Sequence, residues 1–238
     1  MRFSQLSSSA DGAPFGDASS YDQPHRSTDA VLNEETNIPC IEDVALWRGD
    51  ENLFYDPNGE LGVSSLGYNF IGGVIGSADA MAAITNPTVN SYKRINAPPT
   101  LSGATWSPNM ISWSGNNRTH MIRIPDPGRF ELRLADGAVN PYLLPAAILA
   151  AGLDGVRNKR DPGRRLDINM YAEADKAGDV KRLPLNLLDA LRAFEASAVL
   201  GDALGKEFVA AHLKLKHAEW NSYARHLTTW ERQTTLDC

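Results

Sequence analysis

The segment from residue 128 to residue 134 constrains this chain more than any other stretch, because its charged and apolar residues alternate. It reads Gly-Arg-Phe-Glu-Leu-Arg-Leu. Successive side chains of a β-strand point to opposite faces of the sheet. Arg129, Glu131 and Arg133 therefore share one face of a predicted strand. The other face is apolar and carries Phe130, Leu132 and Leu134.

The charged face of this strand has two interpretations. A glutamate is a hard oxygen ligand for Mg²⁺ or Mn²⁺, and a guanidinium offers a fork of donors that matches phosphate oxygens. Glu131 between two arginines thus suits the joint binding of a metal ion and a phosphate. Alternating charges are also common on exposed strand faces held by salt bridges, and the pattern alone favours that interpretation.

Further basic residues come from separate pieces of the chain. Lys93-Arg94 closes a polar run, Arg118 follows a turn-like Gly-Asn-Asn string, and Arg123 lies in a second extended piece. Together with Arg129 and Arg133 they could converge on an anionic substrate. They could equally be solvated surface, and their spacing leaves both possibilities open.

The chain has 238 residues and divides at about residue 40. Residues 1–40 contain repeated Ser, Asp, Gly and Pro, without a helical or strand period. Their few apolar side chains cannot offset the entropy lost on ordering. We therefore expect a disordered or unrelated tail, followed by one folded unit over residues 41–238.

Helices are predicted in three regions of that unit. Apolar residues at helical spacing between Leu61 and Val74 predict a helix that Ser64 or Ser65 can cap and that Gly72-Gly73 weakens. Asn140-Pro141 predicts another, with asparagine as N-cap and proline at the first helical position. The last third is predicted to be helical, and its long helix around residues 209–230 to dock on the sheet or a neighbouring subunit. Residues 86–125 are expected to be mainly extended.

Composition excludes several classes of protein. The formal net charge is −6, which gives no electrostatic reason to bind nucleic acid or anionic lipid. The apolar runs are too short to span a bilayer, and the N-terminus lacks the apolar stretch of a secretory signal. Cys40 and Cys238 have neither a CxxC partner nor metal-ligand spacing, so a reducing, cytoplasmic setting is expected.

The histidines indicate no metal centre. His120 stands alone, and His212, His217 and His226 fall on the predicted long helix. His212 and His217 are five residues apart, whereas a helical metal-binding pair is typically four apart. The three helical histidines are interpreted as surface or packing residues.

A series of separated strings resembles, in order, the C-terminal half of the glutamine synthetase catalytic domain. The likeness runs from about Trp47 to the C-terminus. The strings are Phe54–Glu60, Ala83–Arg94, Asn117-Arg118, Ile122–Pro125, Arg129–Arg133, Asn140–Leu143 and Ala150–Gly155. The resemblance implies an α+β fold with a mostly antiparallel sheet, lined by arginines on one face, backed by helices, and incomplete at its N-terminal side.

The resemblance also implies a reaction. In this family ATP phosphorylates the γ-carboxylate of glutamate, and ammonia then displaces the phosphate to form the amide. By position, Arg118 and Arg133 resemble the catalytic arginines that hold the transferring phosphate and glutamate, and Arg94 the one that binds the substrate carboxylate. Arg123 and Arg129 resemble nucleotide-binding residues, and Glu131 the ligand of Mg²⁺ or Mn²⁺. The family forms homo-oligomers whose active sites lie between subunits.

This sequence departs from the family pattern at three places. The family has a flap glutamate shortly after the Tyr-Lys-Arg string, but no acidic residue stands between Arg94 and Asp126 here. This loop, with Trp106, is similar to that of the γ-glutamylmethylamide synthetase branch, which makes a small alkylamine an alternative to ammonia. The family's His-x-His strand should precede Leu46, where no histidine is present.

The third departure is that the small N-terminal domain and the strands with the other metal-binding glutamates have no counterpart. A lone Glu131 cannot supply the several oxygen ligands of a divalent cation. We therefore expect a ligase-type chain with little activity on its own. The alternative is a truncated, non-catalytic fragment that acts as an oligomerisation module. Tyr171 aligns with a tyrosine that some bacterial members adenylylate, but an ordinary loop tyrosine is the preferred interpretation.

Overall fold

The computed structural model describes residues 42–97 and 107–235. The predicted tail, both cysteines and Trp106 lie outside this part. The strands are β1 (Glu42–Val44), β2 (Trp47–Arg48), β3 (Glu51–Asn52), β4 (Trp113–Ser114), β5 (Ile122–Arg123) and β6 (Phe130–Leu132). The helices are α1 (Ser65–Gly76), α2 (Ala78–Thr85), α3 (Ser91–Ile95), α4 (Leu143–Asn158), α5 (Leu187–Glu195), α6 (Ala198–Leu204), α7 (Lys206–Ala224) and α8 (Thr229–Thr235). Short 3-10 helices occupy Glu60–Gly62 and Ala174–Ala177.

The main sheet has four strands in the order β1-β6-β5-β4. The β1–β6 and β6–β5 pairs are antiparallel, and the β5–β4 pair is parallel. The predicted α+β fold with a mostly antiparallel sheet is therefore confirmed. A separate antiparallel ribbon joins β2 and β3.

The apolar face of β6 packs against helices, as the alternation of its residues predicts. Phe130 forms one aromatic cluster with Phe54 and with Phe70 of α1. The ring centroid of Phe130 lies 6.1 Å from that of Phe54 and 6.1 Å from that of Phe70, and the latter two are 5.1 Å apart. Leu132 and Leu134 are fully buried in the same core. Burial of these large side chains is the main force that holds the sheet against the helices.

The predicted helices form, with local corrections. Ser64 caps α1 by accepting a hydrogen bond from the Gly67 amide at 3.1 Å. Asn140 accepts hydrogen bonds from the amides of Tyr142 and Leu143, but α4 itself begins at Leu143, beyond the predicted Asn-Pro start. Residues 91–95, expected to be extended, form α3, because a Thr88–Ser91 hydrogen-bonded turn starts a helix there.

The long helix α7 lies against other helices. It packs on α5 and α6, and His212 donates from Nε2 to the carbonyl of Ala83 in α2 at 3.2 Å. The long helix is predicted to dock on the sheet or on a neighbouring subunit. In the part of the chain that the structure describes, α7 packs on α5 and α6 and not on the sheet. His212 is buried, which confirms its interpretation as a packing residue. Within the described ranges, no helix is long and apolar enough to cross a membrane.

A glycine in each of α1 and α4 allows the two helices to approach closely. A Cβ on Gly73 would lie 2.1 Å from the Ala151 carbonyl oxygen, and one on Gly155 would lie 2.2 Å from the Asn69 carbonyl oxygen. These neighbours are backbone atoms and cannot rotate away. Gly73, one of the two glycines that weaken the predicted helix, therefore permits the α1–α4 contact together with Gly155 of α4.

Gly73→Ala should destabilise the protein by about 1–3 kcal/mol, because the added methyl group overpacks the α1–α4 contact. Gly201→Ala in α6 is the matched control, since a Cβ there has no atom within 4 Å. The control should be neutral or stabilise by up to about 1 kcal/mol through helix propensity. Urea unfolding measures both changes, and equal effects of the two substitutions would contradict the proposed contact.

Candidate active site on the charged face of the sheet

A row of polar side chains crosses the main sheet on the face opposite the aromatic cluster. Glu131 in β6 is paired in register with Asp43 in β1 on one side and with Arg123 in β5 on the other. Ser114 in β4 continues the row beside Arg123. Residues in register across neighbouring strands point to the same face. The predicted division of β6 into a charged and an apolar face is confirmed.

Glu131 is the centre of this row. Arg123 donates from Nη1 to both carboxylate oxygens of Glu131, at 2.9 and 2.8 Å. Asn116 accepts a hydrogen bond from Nε of the same arginine at 2.9 Å, which holds the guanidinium in place. Only 13% of the Arg123 side chain and 10% of the Glu131 side chain are exposed. The pair is well removed from solvent, unlike the exposed salt-bridged strand face that the pattern alone favours.

Arg133 also lies next to Glu131 and is even more buried. Its Nη1 is 4.0 Å from a Glu131 carboxylate oxygen, and 6% of its side chain is exposed. Burial lowers the pKa of Arg133, and the positive charges of Arg123 and Arg118 lower it further, against the opposite effects of Tyr171 and Glu131. Its Nε is buried and has no hydrogen-bond partner among the described residues. A buried cationic donor without a partner favours the binding of an anion that can accept its hydrogen bond.

Arg129 lies at the edge of the charged face. Its guanidinium donates to Asp43 and to Asp126, and it is 4.0 Å from Glu131. One third of its side chain is exposed, so of the two arginines that flank β6 it is the one that solvent reaches more easily. Neither carboxylate partner is predictable from the sequence, because Asp43 reaches Arg129 through the pairing of β1 with β6 and Asp126 reaches it through a turn.

Arg94 and Arg118 reach the site from outside the sheet. Arg94 in α3 is buried and donates from Nη2 to the carbonyl of Leu134 at 2.8 Å, one residue beyond Arg133. Arg118 is exposed on a turn, close enough to Arg133 and Tyr171 to affect the pKa of each. Arg94 thus contacts the backbone next to Arg133, and Arg118 lies at the surface, close enough to Arg133 to affect its pKa.

Tyr171 is a further member of the site. Burial raises the pKa of its phenol, and the charges of Arg133 and Arg118 partly oppose that rise. It is half-buried, and both arginines lie close enough to affect its pKa. Nothing in the local sequence indicates this position, because it depends on a loop that returns to the sheet about fifty residues after Arg118.

The described carboxylates do not form a metal site by themselves. No group of three or more His, Cys, Asp or Glu side chains that could hold an ion occurs within residues 42–97 and 107–235. Arg123 contacts both oxygens of Glu131, and Arg129 pairs with Asp43 and Asp126. Three guanidiniums, those of Arg123, Arg129 and Arg133, lie within 4.0 Å of Glu131, so this carboxylate is paired with cationic side chains and the arrangement suits a cation less well than an anion.

Comparison with known proteins identifies the family. Residues 42–235 match the profile of the family described as "Glutamine synthetase, catalytic domain". The chain belongs to the glutamine synthetase family, as the separated strings of its sequence indicate. The match covers the sheet, its charged face and all the described helices.

Individual relatives carry two different names. The chain is 60% identical over 204 residues to a glutamine synthetase of Rhizobium meliloti (strain 1021), covering 85% of this chain and 47% of that protein. It is 47% identical over 200 residues to a glutamate–methylamine ligase of Methyloversatilis universalis, covering 82% and 45%. A solved structure, "GmaS/ADP complex-Conformation 1", matches with a TM-score of 0.79 and 59% identity, covering 84% and 46%. The chain spans about half the length of the relatives it matches.

Glu131→Gln should destabilise the protein by about 3–5 kcal/mol, because it leaves buried guanidiniums without their counter-charge. Added phosphate should restore part of the loss by replacing the missing negative charge. Chemical denaturation with and without phosphate measures both effects. Glu51→Gln is the control, since Glu51 pairs with Arg48 on an exposed ribbon and should change stability little. Unchanged stability of the Glu131 variant would refute the central role of this carboxylate.

Proposed function

We propose that this chain provides the phosphate-binding and glutamate-binding side of a ligase of the glutamine synthetase type. The reaction is the ATP-dependent joining of ammonia, or of a small alkylamine, to the γ-carboxylate of glutamate through a γ-glutamyl phosphate. The observation that carries the proposal is the buried Arg133 beside Glu131, with an Nε that lacks a hydrogen-bond partner among the described residues. Family membership supports it independently.

Arg118 and Arg133 are proposed to hold the transferring phosphate and the glutamate. Phosphoryl transfer spreads negative charge over the equatorial oxygens of the phosphate, and fixed cations around those oxygens lower the barrier. Arg133 is rigid and desolvated, which strengthens its interaction with a bound anion. Arg118 is exposed and can meet a substrate that arrives from solvent.

The other predicted site residues take supporting roles in the proposal. Arg94 binds the substrate carboxylate, and Arg123 and Arg129 contact the nucleotide. Glu131 stays the candidate ligand for Mg²⁺ or Mn²⁺. Since the described residues include too few free carboxylates for a complete cation site, no step here depends on the metal.

The amine and the assembly are also part of the proposal. Ammonia and methylamine are the two candidates, and the relatives named above include a glutamine synthetase and a glutamate–methylamine ligase. The active form is proposed to be a homo-oligomer whose sites lie between subunits, in the cytoplasm. A fragment that serves only as an oligomerisation module would not need a buried cationic site, and this favours the ligase proposal.

Phosphate and ADP should bind to the full chain, and Arg118→Gln should weaken phosphate binding about tenfold, equivalent to about 1.4 kcal/mol. Because Arg118 is exposed, its replacement should leave the melting temperature nearly unchanged. Arg192→Gln in α5 is the matched control, as an exposed arginine paired with Asp189 at 3.0 Å. Titration calorimetry measures the affinities.

Two results would contradict the proposal. The first is the absence of phosphate and ADP binding by the unmodified chain. The second is an equal effect of the Arg118 and Arg192 replacements. A companion assay with glutamate, ATP, Mg²⁺ and either amine should show little γ-glutamyl amide from the chain alone. Formation well above background would refute the expected low activity and would identify the preferred amine.

A further inference from the structure

His120 is a buried titratable residue that has no part in the proposed reaction. It is fully buried and lies two residues after Arg118. Its Nδ1 is 2.9 Å from the hydroxyl of Ser112, and its Nε2 is 3.1 Å from the backbone carbonyl of Ile168. The ring therefore connects the strand region before β4, the turn with Arg118, and a loop about fifty residues further along the chain.

The hydrogen-bond partners determine the tautomer of His120. A carbonyl oxygen only accepts, so Nε2 carries the hydrogen and donates to Ile168. Nδ1 then accepts from the Ser112 hydroxyl. Burial lowers the pKa of His120, which keeps the ring neutral and suited to this arrangement. Both ring nitrogens are thus used in holding two segments together.

The residues on either side of Arg118 are tied to the same loop. Asn117 donates from Nδ2 to the Ile168 carbonyl at 2.9 Å, and the Met170 amide donates to Oγ1 of Thr119 at 3.0 Å. Together with the His120 contact, these hydrogen bonds join Asn117, Thr119 and His120 to residues 168–170, and we call the three contacts the His120 latch. Tyr171 follows the latch directly and lies near Arg118 and Arg133.

We propose that His120 is a positioning residue that fixes Arg118 and Tyr171 over the buried Arg133, so that the three form one anion-binding surface. The Arg118 side chain is exposed, while both its chain neighbours bond to the loop through their side chains, so its backbone is held where its guanidinium is free to meet a ligand. A fixed backbone lowers the entropy lost when an anion is bound. This inference rests on the proposed phosphate-binding function of Arg118.

His212 is a second buried histidine of the same protein, and its hydrogen bond has a structural role only. It is also buried and also donates from Nε2 to a backbone carbonyl, that of Ala83. Its contact joins α7 to α2, among helices, and burial lowers its pKa as well. The two histidines therefore match in chemistry and burial but differ in what they hold, which makes His212 the natural control.

The test compares His120→Ala, His120→Gln and His212→Ala in the full chain, with inorganic phosphate as the probe. A glutamine can place an amide N–H near the position of Nε2 and keep the hydrogen bond to Ile168. His120→Ala should weaken phosphate binding about tenfold, His120→Gln should recover most of that loss, and His212→Ala should have no effect on it. Stability alone would not produce this pattern, because both alanine variants lose a buried hydrogen bond.

Hydrogen exchange of the Met170 amide is the second measurement. Its exchange should accelerate in His120→Ala and stay slow in His212→Ala, because only the first opens the latch. If His120→Ala does not fold, Thr119→Val removes the acceptor of the Met170 amide and should weaken phosphate binding in the same direction.

Each outcome decides the proposal. Unchanged phosphate affinity in His120→Ala, or in Thr119→Val if that variant replaces it, overturns the positioning role. Failure of His120→Gln to recover binding overturns the hydrogen-bond explanation. If the unmodified chain binds no phosphate, the proposed function fails and the positioning role falls with it, while Met170 exchange still reports whether the latch forms.

Discussion

The carboxylate of Glu131 is the interaction on which the charged face of the sheet depends. It lies in register between Asp43 and Arg123, and a guanidinium nitrogen of Arg133 lies 4.0 Å from it. Three arginines this close would repel one another strongly in a medium of low polarity. Glu131 offsets that repulsion, and the carboxylates of Asp43 and Asp126 offset the charge of Arg129. The three guanidiniums are thus matched in number by three carboxylates, and this pairing stabilises the charged face.

The apolar side of the same strand makes that surface rigid. Phe130 packs in the aromatic cluster with Phe54 and Phe70, and α1 is in turn held against α4 by the close approach at Gly73 and Gly155. Dense packing of this kind leaves few alternative side-chain arrangements. Residues 129–133, with β6 at their centre, thus carry both the apolar residues that anchor the strand in the core and the charged residues of the site, in alternation.

Much of this could be read from the sequence because it depends on local periodicity. The alternation in residues 129–134 predicts the two faces of β6, and helical spacing predicts α1 and the helices of the last third. The partners of Arg129, the buried state of Arg133 and the place of Tyr171 could not be predicted, because they depend on which strands and loops meet across long stretches of chain. The helix at residues 91–95 was missed because its start depends on a side-chain turn at Thr88 and Ser91.

The overall charge of the chain is a poor guide to this site. A net charge of −6 gives no reason to expect affinity for anions, and it does argue against binding long polyanions, which sense the charge of a whole surface. A single phosphate senses only the groups within a few ångströms, since exposed charges beyond about 10 Å are screened by salt. The guanidiniums of Arg118 and Arg133 therefore dominate what a small anion encounters, even on an acidic protein.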